Sequence, residues 1–70
     1  MNSSSLQEVI LKTMNVIRNK NGSNFVNTDD VWPGVSNKMS KPQFKELLKE
    51  LENDGSIYQA GNENTYCITD

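Results

Sequence analysis

The chain has no histidine, and its 70 residues include one cysteine, two prolines and four glycines. Without an imidazole there is no histidine base to activate a serine or threonine, and no histidine-containing zinc site. A single cysteine excludes a disulfide within the chain. Cys67 has no base or cluster of cations nearby in sequence, so it reads as a small half-buried hydrophobe in a strand and suits a reducing compartment. None of the glycines stands in a phosphate-cradling arrangement. Glu46 and Glu50 share a helix face, but a solvated surface gives the same pattern. The expectation is a non-enzyme with no metal and no cofactor. Apolar runs are too short to span a membrane, and the opening "MNSSS" lacks the basic and apolar parts of a signal peptide.

Positive charge is also missing from one region. Residues 1–51 carry seven basic and five acidic side chains, whereas residues 52–70 carry Glu52, Asp54, Glu63 and Asp70 and no lysine or arginine. The net charge of -2 and a pI near 4.9 argue against a strong, unspecific hold on nucleic acid. At this length folding buries only about 60% of the unfolded surface, which bounds the chain to one small domain over residues 1–70.

What is present is helical periodicity followed by two β-rich runs. Leu6, Val9, Ile10, Met14, Val16 and Ile17 recur at helical spacing. Ser5 and Glu8 form a capping-box pattern and Gly22 a stop, which predicts a first helix from about Leu6 to Lys20. "SNFV" fits a short edge strand that carries Phe25 into the core, and Thr28 is placed to cap a short second helix. Pro33 and Gly34 predict that this helix is interrupted, with Trp32 covering one edge of the core.

The third helix is the clearest. Ser40 is its N-cap, Gln43 completes a capping box, and Pro42 falls in the first turn. Phe44, Leu47, Leu48 and Leu51 make its apolar stripe, and Gly55 ends it in a left-handed cap. "SIYQA" and "TYCIT", joined by "GNEN", predict a hairpin with Ile57 inward, Tyr58 outward, and Tyr66 and Ile68 on one face. Helix, short strand, short helix, long helix, hairpin is the order of an α+β winged helix: three helices, a small antiparallel sheet and a C-terminal wing hairpin.

Two binding chemistries follow. Lys41, Lys45 and Lys49 recur every four residues on the third helix, the helix a winged helix-turn-helix inserts into the major groove. That row is the nucleic-acid alternative, and Glu46, Glu50 and the acidic hairpin oppose it. The acidic hairpin beside an exposed tyrosine suits instead a cationic peptide.

The stretch "FKELLKELENDGSIYQAGNENTYCITD", preceded by Met39-Ser40, resembles the C-terminal winged-helix domain of the middle subunit of replication protein A. The matching residues are Asp54-Gly55-Ser56-Ile57-Tyr58, the polar turn Asn62-Glu63-Asn64, Tyr66 and the closing Thr69-Asp70. A paralogous subunit of a telomere-associated complex of the same kind has the same pattern. "GSNF" also fits, and the similarity is specific from Met39 onward. "DDVWPGVSN" departs from the family's second helix, and Asn62 and Asn64 stand where its turn is more acidic. The resemblance implies a nuclear protein-docking module that does not itself bind nucleic acid. It would recruit basic amphipathic helices of replication, repair or telomere proteins, while other subunits join through parts of the protein outside this chain. Carried over by position, the contact residues are Glu52, Asp54, Ile57, Tyr58, Glu63, Thr69 and Asp70.

Overall fold

The computed structural model describes the backbone of residues 3–69 and the side chains of residues 5–69. The elements run α1 (Ser3–Asn21), β1 (Val26–Asn27), α2 (Thr28–Val35), α3 (Lys41–Asn53), β2 (Ile57–Gln59) and β3 (Thr65–Ile68). The three strands form one antiparallel sheet in the order β1-β3-β2, so the last strand is central and the other two are edges. Three helices and a small antiparallel sheet make the domain α+β.

The core collects one stripe from each helix and the inner face of the sheet. Ile10 and Met14 of α1, Val31 and Val35 of α2, and Phe44, Leu47, Leu48 and Leu51 of α3 are buried. They meet Val26 and Ile57 from the sheet, with Trp32, Tyr66 and Ile68 half-buried around them. The expected stripe of α3 is the one observed. On α1 the stripe is narrower than its apolar residues suggest, because Val16 is 65% exposed.

Several local expectations need correction. Helix α1 begins by Ser3, so Ser5 lies inside it and is not its cap. Helix α2 is capped by Asn27, whose side-chain oxygen accepts from the Asp29 N–H at 2.8 Å; Thr28 is its first residue. The same helix runs unbroken through Pro33 to Val35. Pro33 deprives it of one backbone donor. Packing supplies the compensation, since Val31 and Val35 on either side are fully buried. Gly34 helps this packing: a Cβ there would lie 3.0 Å from Cγ2 of Thr13, so α2 comes close to α1 at that point.

Helix α3 starts as its sequence indicates, with the Ser40 hydroxyl accepting from the Gln43 N–H at 3.3 Å. It ends at Gly55, which has φ +85° and donates to the Glu52 carbonyl, while the Ser56 N–H reaches back to Leu51 at 2.9 Å. This left-handed ending turns the chain directly into β2, so that Ile57 enters the core.

The hairpin turn is closed by side chains. Asn62 accepts from the Asn64 N–H and from the Thr65 hydroxyl, at 2.9 and 3.0 Å. Asn64 in turn offers its carbonyl to the Thr28 N–H at 2.8 Å, which ties the turn to the start of α2.

Candidate docking site

Strand alternation decides which hairpin side chains reach the surface. Ile57 points into the core and is 1% exposed, while Tyr58 points out and is 52% exposed. On the opposite edge Val26 is fully buried, which sends its neighbour Phe25 outward with 58% exposure. The expectation that Phe25 enters the core is therefore overturned: β1 offers Val26 to the interior instead.

The register then brings these outward residues together. Tyr58 pairs with Cys67, and Val26 with Tyr66. Continuing the second pairing by one residue sets Phe25 level with Cys67. The outer face of the sheet thus carries paired Cys67 and Tyr58, and Phe25, which immediately precedes β1 and donates its N–H to the Ser23 hydroxyl at 3.2 Å, stands at the end of the same ladder. Cys67 is 4% exposed, more buried than the half-buried position expected from sequence, and it lies outside the main core cluster. Two exposed aromatics flank a small sulfur side chain, two strand spacings or about 10 Å apart. Such a pair suits the apolar face of a helix laid across the strands.

Of the seven residues implied by resemblance, the described ones stand in different surroundings. Ile57 is in the core and offers no surface. Asp54 stands at the corner between α3 and β2, where its carboxylate accepts from the Ser56 N–H at 2.9 Å. Glu52 lies near enough to Tyr66 to act on its ionisation. Burial foremost, and the Glu52 carboxylate second, raise the Tyr66 pKa above its ordinary value. Thr69 lines a groove against α1, beside Leu11 and Lys12. Glu63 faces α3, and Tyr58 is on the outer sheet face. Asp70 lies outside the described residues.

The lysine row is brought together. Lys41, Lys45 and Lys49 all line one open groove of about 410 Å3 between α3, the start of α2 and the β2–β3 turn. Asp29 and Glu63 line it as well, so cations and carboxylates share its walls. The Lys41 ammonium sits 4.9 Å from the centroid of the Trp32 ring, and that ring packs on Phe44 at 5.3 Å.

Phe25 is the residue that sequence reasoning missed. The available signal was its place one residue before Val26, in a segment too short to show alternation; only pairing with β3 assigns the two residues to opposite faces. Among the described residues no group of three or more His, Cys, Asp or Glu side chains could hold a metal ion. No helix among them is long and apolar enough to cross a membrane. No family model, curated protein or solved structure matches the chain.

Proposed function

We propose that the domain is a winged helix and serves as a non-enzymatic docking module of a replication-protein-A-type complex in the nucleus. Its partner is a basic amphipathic helix from a replication, repair or telomere protein. The observation that carries this reading is the pair of outward aromatics, Phe25 just before β1 and Tyr58 on β2. Two rigid aromatic surfaces, 58% and 52% exposed, stand in line on a domain this small.

The geometry of a helix fits that pair. Residues i and i+7 are about 10.5 Å apart along a helix axis, close to the two strand spacings between Phe25 and Tyr58. Aliphatic residues at i and i+7 would cover the aromatics. Asp54 stands at the corner that leads into the strand of Tyr58, and residues 52–70 hold no cation, which favours approach of Lys and Arg to this end of the sheet. Tyr58 and Phe25 supply the anchors, since buried aromatics commonly dominate such interfaces while exposed charge pairs give about 0–1 kcal/mol each. Ile57 has no part in the contact.

Titration of the 15N-labelled domain with a basic, leucine-bearing amphipathic peptide tests this. The expected amide shifts cover residues 25, 58 and 67, and both Phe25→Ala and Tyr58→Ala weaken binding more than Asp54→Asn. Shifts confined to α1, with the hairpin silent, would show that the acidic hairpin only keeps the surface solvated.

A further inference from the structure

The groove between α3 and the β2–β3 turn is separate from the outer sheet face, and its charge is arranged differently. Lys41, Lys45 and Lys49 line it at four-residue intervals, about 6 Å per step along the helix axis. The first of these ammonium groups is held over the Trp32 ring. Asp29, in the first turn of α2, and Glu63, in the hairpin turn, line the groove from elements other than α3. Phe44 and Leu48 floor the groove but are buried, so the half-buried Tyr66 is the apolar side chain it leaves accessible.

The mixture of signs selects the occupant. A phosphodiester strand is anionic along its whole length, so it would meet Asp29 and Glu63 whenever it met the lysines. Like charges brought together at an interface oppose binding. A peptide helix does not have this difficulty, because its two flanks can carry opposite charges on either side of an apolar ridge. We propose that this groove is a second docking surface, for a peptide segment that sets a row of Asp or Glu against Lys41, Lys45 and Lys49. Its other flank carries Lys or Arg toward Asp29 and Glu63, and an aliphatic side chain between the flanks rests on Tyr66. The anionic side chains recur at i, i+4 and i+8, matching the lysines.

The test uses a designed helical peptide with Glu at i, i+4 and i+8, a leucine between the flanks and lysines on the far flank. Added to the 15N-labelled domain, it should shift amides in residues 41–49 and 62–66 and leave those of residues 25 and 58 in place. Binding should weaken with salt, as exposed ion pairs do. Lys45→Glu with Lys49→Glu should lower affinity about tenfold, and replacing the peptide's Glu by Gln should do the same with the unaltered domain. The peptide variant keeps the test valid if the doubly substituted domain does not fold. Three outcomes overturn the proposal: no shifts at millimolar peptide, equal binding of the Gln peptide, or groove shifts produced by oligothymidine and not by the peptide. None of these depends on whether a basic helix docks at Phe25 and Tyr58, so the two surfaces stand or fall separately.

Discussion

The two faces of the three-stranded sheet are built from alternate residues of the same short strands. The inner face presents Val26 and Ile57, both buried, with Tyr66 and Ile68 half-buried beside them. The outer face presents Phe25, Tyr58 and Cys67, of which the two aromatics are more than half exposed. Hydrophobicity does not separate the faces, since Phe25 is larger and no less apolar than Val26. Position in the ladder separates them, and a slip of one residue would exchange the two sets. The inner face therefore answers for stability, and the outer face carries the aromatics on which the proposed docking rests.

The largest expected effect sharpens this division. Ile57→Ala should destabilise the fold by about 2–5 kcal/mol, because it empties a core site that cannot collapse fully. Tyr58→Ala, one residue away and half exposed, should cost clearly less than Ile57→Ala. Urea denaturation of both variants checks the pair; similar losses would break the distinction between the faces.

Gly55 fixes which face β2 turns inward. At φ +85° an alanine is strained, so Gly55→Ala should cost about 1–2 kcal/mol by thermal melting. Asn27 does the same for the other edge, ending β1 and capping α2. Asn27→Ala should cost about 1 kcal/mol, whereas Thr28→Ala should cost clearly less if the cap is Asn27.

A smaller effect concerns the half-buried tyrosine. Burial and Glu52 raise the Tyr66 pKa in the folded state, so the folded chain holds this proton more tightly than the unfolded one. The resulting stability is fully present below the ordinary tyrosine pKa of about 10 and is lost as pH rises through the higher folded value. Denaturation midpoints compared across that alkaline range should fall with pH, and less so in Tyr66→Phe. A Glu52→Gln variant should move the Tyr66 transition, followed by ultraviolet absorbance, part of the way back toward its ordinary value.

Much of this was legible in the residues. Helix α3 carries its own start and stop in Ser40 and Gly55, and its stripe of Phe44, Leu47, Leu48 and Leu51 is regular enough to declare the buried face. Local signals of that kind act within a few residues, so they survive without tertiary context. The ambiguous places were those where two local readings competed. Asn27 and Thr28 are both good caps, and Pro33 argues for a break that burial of Val31 and Val35 overrides.

The candidate surfaces needed the folded chain. Sequence by itself determined the number and order of the elements, the absence of histidine chemistry, the acidic last quarter and the pitch of the lysine row. Only tertiary structure decided that Val26 turns inward and leaves Phe25 outside, because that depends on pairing between residues about 40 positions apart in the chain. Tertiary structure also set Glu63 in the groove beside α3 and engaged Asp54 in the turn before β2. Charge composition is a property of the chain, but which charges face one another is set by packing between elements distant in sequence.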